Sequence, residues 1–246
     1  MPFLLLVVLT IFLLILKMPK PKTYTKKTDI EKPWNKKKKA SQYAINTIVI
    51  RKTFLIVCEG QTEKCYFESF PVRTVKVEIV NLEGQSKLKL VECTQEMVCS
   101  EEYDEVWCVF DMDVNIGEDE FQAFDNAIHK AHSLNFKVAY SNDAFELWFY
   151  LHYNYTDTAQ RRSFYYDQLS NYWGINYVDE GKRYSFCTGI YDKLKKDDRA
   201  SQQNAIDRAE TLFTGQQDKP FHEQNPVTTV YRLVISLNKH ILDGCG

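Results

Sequence analysis

VWCVFDMDVN (residues 106–115) runs an apolar, strand-forming stretch straight into two aspartates spaced one residue apart. Successive side chains alternate along an extended chain, so Asp111 and Asp113 at a strand end point the same way. Their charges repel unless something positive, or water, lies between them. The pair alone leaves two readings open, a solvated turn or a metal site. The sequence around it has to discriminate.

Upstream, TFLIVCEG (53–60) is a continuous apolar run closed by Gly60, and EVWCVF (105–110) repeats the pattern. Runs without polar alternation mark strands buried on both faces. TVKVEIV (74–80) alternates and FKVAY (136–140) is a further strand. Between them lie helical stretches at Thr62–Phe70, with Thr62 as N-cap and Pro71 as stop, at Lys87–Cys99 and at Asp119–Leu134. Strands alternating with helices predict an α/β fold with a parallel, doubly wound sheet over 50–150. AFELWFYLHY (144–153) is an aromatic helix, and segments near 160–172, 186–196, 200–214 and 227–242 follow as helices. The last would open with Asn225 as N-cap and Pro226 at its first position. Residues 151–246 are thus expected to pack on the core as a helical extension, not as a separate domain.

The chain of 246 residues is 44% hydrophobic and 26% charged, as for a soluble globular protein. Its seven cysteines form no CxxC pair, which argues against structural zinc and for a reducing, cytoplasmic setting. The net charge of −2 conceals an asymmetry: residues 17–39 hold ten lysines against Asp29 and Glu31. Such an arm (18–46) cannot bury a core and is expected to be disordered, either solubilising or attracting phosphate backbones or anionic lipid. Ahead of it, the apolar run Phe3–Leu16 lacks a basic n-region and a cleavage site. Its 14 residues also fall short of the ~20 that span a bilayer as a helix. We read residues 1–17 as a misassigned start before Met18, with a short inner-membrane anchor as the alternative. A membrane partner follows only from the second.

Open α/β sheets collect their working groups at the carboxyl ends of the strands. The first strand ends at Glu59, the third at Asp111 and Asp113, and the fourth at Asp143, with Glu146 one turn later. If the strands are parallel these acids share one rim, and oxygen-rich sites suit Mg²⁺ or Mn²⁺. Singly, each has a plain structural reading: an acid–glycine turn at Glu59, a helix-dipole partner at Glu146, an N-cap at Asp143. Their combination points to phosphoryl chemistry. Candidate phosphate-holding cations are Lys182 and Arg183 in GKRYSF (181–186), Arg208, and Arg161 with Arg162, each also readable as solvated surface. His129 and His132 share a helical face without a third ligand in sequence, and no P-loop, GxGxxG or HExxH occurs.

A glutamate at the first strand end with a DxD two strands on resembles the Toprim domain of topoisomerases, primases and some nucleases. FLIVCEGQTEKCYFESF (54–70), VWCVFDMDVN (106–115), SNDAFELWFYLHY (141–153) and NPVTTVYRLV (225–234) together resemble its RloB-like branch, associated with bacterial restriction loci. Asp143 stands where that family has proline. The resemblance implies a Toprim-like sheet with Glu59 as general acid or base and Asp111 and Asp113 as Mg²⁺ ligands. It further implies a nuclease acting on DNA or RNA, with a restriction or defence-system partner, in phage defence. The alternative is a non-catalytic Toprim-like protein that binds nucleotide or nucleic acid as a sensor. A haloacid-dehalogenase-type phosphatase is disfavoured, because its DxD belongs on the first strand.

Overall fold

In the computed structural model, residues 52–73, 75–82, 85–112 and 117–241 are described, the first three of the last stretch by backbone only. The N-terminal segment, the basic arm and Asp113 lie outside them. β1 (Lys52–Cys58) and β3 (Glu105–Asp111) are the central strands, and their sequences explain why. Phe54, Ile56 and Cys58 of β1 join Trp107 and Val109 of β3 in one core. Leu55 and Val57 join Val106, Cys108 and Phe110 in a second, on the opposite face. A strand covered on both sides has no solvent face on which to place polar residues, hence the unbroken apolar runs. β2 (Val75–Asn81) lies at the edge and is mostly half-buried, which matches its alternation.

The sheet order is β2-β1-β3-β4-β5, where β4 is Lys137–Asn142 and β5 is Val227–Thr228. The β1–β2, β1–β3 and β3–β4 pairs are parallel, and β5 is antiparallel to β4. α2 (Lys87–Val98) and α3 (Gly117–Ser133) cover one face through Leu90, Val91, Phe124, Ala127, Ile128 and Ala131. The other face carries α1 (Gln61–Glu68), α4 (Glu146–Leu151), α5 (Arg162–Trp173), α6 (Tyr184–Cys187), α7 (Ile190–Lys196), α8 (Gln202–Thr214) and α9 (Val230–Asn238). This is the α/β fold expected, a Toprim-like, mostly parallel sheet flanked by helices with a helical C-terminal extension. The described residues form one compact unit, with Tyr66 of α1, Trp148 of α4 and Leu233 of α9 in the same core. Trp148 is fully buried and its indole N–H donates to the Tyr66 hydroxyl at 2.9 Å, so α4 is tied to α1 without an orphaned polar atom.

Several boundaries differ from the sequence expectation. α1 opens at Gln61 after an extended Gly60, and Thr62 is buried inside it instead of capping it. The aromatic helix is confined to Glu146–Leu151, and the 186–196 segment splits into α6 and α7 around Gly189. The largest correction is at NPVTTV: Asn225 caps no helix, Val227–Thr228 form β5, and α9 begins only at Val230. Long-range partners decide it. Ser141 and Thr228 hydroxyls lie 2.8 Å apart, and the Tyr140 N–H donates to Thr229 Oγ1 at 2.9 Å. Buried threonine hydroxyls and β-branched side chains are well served against β4.

Candidate functional site

From β1 the chain leaves through α1 to β2 on one side, then returns through α2 to β3 on the other. The carboxyl ends of β1 and β3 are therefore neighbours whose connections diverge, the usual position of a ligand crevice in such sheets. Backbone bonds continue the sheet past the strand ends: Glu59 N–H donates to the Val109 carbonyl at 2.9 Å and Met112 N–H to that of Ser141 at 2.8 Å. Glu59 and Asp111 are held on this extended rim.

A cleft of about 240 Å³ opens there, bordered by Glu59, Glu63, Asp111 and Glu146 and by the cations Arg162 and Lys182. Lys87, at the start of α2, pairs with Glu59 Oε1 at 3.3 Å, its side chain only 10% exposed. Glu146 is 3% exposed and accepts from the Tyr177 hydroxyl at 3.0 Å, with Lys182 Nζ 4.0 Å away. Lys182 also lies 5.0 Å over the Tyr166 ring.

The acids crowd one another. Burial pushes the Asp111 carboxyl well above the usual range, and the charges of Glu63 and Glu59 push it further against a partial offset from Arg162. Burial likewise raises Glu63, to about 7; its own N–H works the other way, and Glu146 and Glu59 add to the rise. Gly60, with φ of −124°, needs no glycine on conformational grounds. It is small because a Cβ there would lie 2.5 Å from Glu63 Oε2.

Of the residues singled out in the sequence, Glu59, Asp111, Glu146, Lys182 and Arg162 border one cleft. Arg183 is exposed and does not border it. Arg208 belongs elsewhere: its guanidinium donates to the Leu151 carbonyl at 2.7 Å, at the end of α4. Asp143, 2% exposed, is neither cleft acid nor cap of α4; its Oδ2 accepts from the N–H of Arg162, the first residue of α5. Glu63 and Lys87 were missed. Glu63 was legible only as an acid four residues after Glu59, resembling any first-turn helix glutamate.

Hard oxygen donors around one cleft, two of them driven toward protonation by burial and by the neighbouring acids, are what a divalent cation stabilises. The donor chemistry fits Mg²⁺ or Mn²⁺. Among the described residues the acids border the cleft without three His, Cys, Asp or Glu side chains grouping at metal-ligand spacing. Also among the described residues, no helix is long and apolar enough to cross a membrane.

Comparison with curated proteins and with solved structures found no match. A family model described as RloB-like protein matches residues 54–237, a stretch that contains the whole sheet from Phe54 onward and every residue of the cleft. The chain belongs to the RloB-like protein family.

Proposed function

We propose that this chain is a Mg²⁺-dependent, Toprim-type nuclease-like enzyme acting on nucleic-acid phosphodiesters, in a phage-defence setting suggested by its family. The observation that carries the reading is the meeting of Glu59 and Asp111, from adjacent strand ends, with Glu63, Glu146 and the cations Arg162 and Lys182 in one cleft. Asp111 and Glu59 would hold the cation, joined by Asp113 on the family pattern. When bound, it would supply Lewis-acid activation of water and charge stabilisation at phosphorus.

The remaining roles fall to the chain itself. Lys182 and Arg162 present positive charge to a phosphate entering an otherwise acidic cleft. Glu63, with a pKa of about 7, is suited to taking up or releasing a proton near neutrality. Tyr177 fixes the orientation of Glu146 by its hydrogen bond, and Lys87 does the same for Glu59. The test is cleavage of labelled DNA and RNA with Mg²⁺ or Mn²⁺. Loss of cleavage in Asp111→Asn, with the fold intact, supports the reading, and undiminished cleavage overturns it.

The Lys87–Glu59 ion pair favours a second reading, a non-catalytic protein that uses the same rim to bind metal–nucleotide or nucleic acid. Binding by calorimetry together with no cleavage of any substrate would select it.

A further inference from the structure

The segment from Asn176 to Tyr184 forms one lip of the acidic cleft, and what it shows to solvent is unlike what it buries. Its π-helical turn, Tyr177–Gly181, is anchored inward. Tyr177 is fully buried, bonds to Glu146, and packs so closely on Gly181 that a Cβ there would run into the ring. Outward, the same lip exposes Val178 at 60% and Tyr184 at 62%, more than Leu88 and Tyr155, the other large hydrophobics exposed among the described residues. Among the described residues the Tyr184 ring meets no other aromatic ring and no cation. Lys182 and Arg183, both exposed, stand next to it in the chain, and Lys182 also borders the cleft.

Over the whole segment Asp179 and Glu180, also exposed, balance these cations, so positive charge is confined to its Lys182–Arg183 end, beside the exposed Tyr184 ring. That end alone offers a phosphate the attraction that the cleft carboxylates would not. Every nucleobase offers a π-face, and alternating aromatic and basic side chains are how single strands are held without sequence readout. In a duplex the bases are stacked on one another and closed to such a ring.

We infer that Tyr184 is a stacking platform for a base of single-stranded DNA or RNA, with Arg183 and Lys182 on the neighbouring phosphates. This rests on the proposed action on nucleic acid and names the strandedness of the substrate. Lys182 would then link the stacked nucleotide to the cleft.

The experiment is fluorescence anisotropy of labelled single-stranded DNA and RNA oligonucleotides with the full chain in EDTA, so that binding is read without cleavage. Tyr184→Ala should weaken binding about tenfold or more, and Tyr184→Phe by less than about threefold, because only the ring is used. An abasic oligonucleotide of equal length should bind the unaltered chain and Tyr184→Ala alike. Arg183→Ala should reduce the salt slope of log K by about 0.7, the value for one phosphate contact on a single strand. Unchanged affinity in Tyr184→Ala, or a difference that persists on the abasic strand, overturns the inference while leaving the nuclease reading intact. A surface reserved for a protein partner would give that result. If the unaltered chain binds no nucleic acid, both fall together.

Discussion

Gly60 and Glu63 compete for one space: the carboxylate of Glu63 folds back over the position where any other residue at 60 would carry its Cβ, 2.5 Å from Oε2. The glycine after the first strand is thus an element of the acidic site, placed there by sterics and not by backbone conformation. Gly60→Ala should displace the carboxylate, which is the mobile end of a side chain. We expect stability to change by less than about 1 kcal/mol, because little else has to shift. Mn²⁺ affinity should nevertheless fall about tenfold, of the order found when groups that orient ligands are removed. Thermal unfolding and calorimetry with Mn²⁺ read the two effects separately.

The raised carboxyls fix the sign of a pH dependence. Between pH 4.5 and about 7 the unfolded chain has released the proton that folded Glu63 still holds, so the native state binds more protons. Stability therefore falls as pH rises through this window, and Asp111 acts in the same direction. Glu63→Gln has no charge to bury, and should raise the midpoint of unfolding by several degrees at pH 8 in EDTA, with no gain at pH 4.5. Adding Mn²⁺ should flatten the slope of the unaltered protein. An unchanged profile in the variant would show that Glu63 does not carry the effect.

Arg208 separates structure from substrate binding. Its bond to the Leu151 carbonyl holds the end of α4, and it takes no part in the cleft. Arg208→Ala should cost about 1.5–3 kcal/mol, as for a lost hydrogen bond to a charged group. Nucleic-acid affinity at a temperature where the variant is folded should match that of the unaltered chain. A selective loss of affinity would restore Arg208 to the phosphate-binding set.

Tyr177 joins the lip to the cleft floor, and two substitutions divide its roles. Tyr177→Phe keeps the ring on Gly181 but leaves Glu146 Oε1 without its hydroxyl donor. About 1–3 kcal/mol of stability should be lost, since Glu146 is nearly inaccessible to water. Gly181→Ala keeps the donor but drives a methyl into the ring, and overpacking of this kind costs about 1–3 kcal/mol. Urea unfolding of the two variants, with anisotropy on single strands, should show Gly181→Ala weakening binding more, because it moves the lip itself.

How far these features could be read in the sequence depended on how local their causes are. The central strands were plain because burial on both faces writes itself as the unbroken runs around Leu55 and Cys108. Glu59, Asp111 and Glu146 followed, since parallel strands carry their last residues to one rim. Glu63 and Lys87 were hidden because each occupies a helix start where a charged residue needs no special explanation. β5 was illegible for another reason: two residues have no periodicity, and only the hydroxyl of Ser141, far away in sequence, turns Thr228 into a strand residue. Arg208 was assigned to phosphate because its acceptor is a backbone carbonyl, which no side-chain pattern reveals.

Ser141 and Thr228 are 87 residues apart, and the antiparallel pairing between their strands closes the edge of the sheet beside β4. During synthesis β1 to β4 leave the ribosome with α2 and α3 ready to cover one face, while most of the cover for the other is still unmade. Until Val227, Thr228 and the helix after them arrive, the nascent chain has an open β4 edge and lacks the α9 part of the core on that other face, the features through which unfinished proteins associate. A message truncated ahead of this point would therefore yield a product that fails by aggregating, although it already contains Glu59, Glu63, Asp111, Glu146, Arg162 and Lys182.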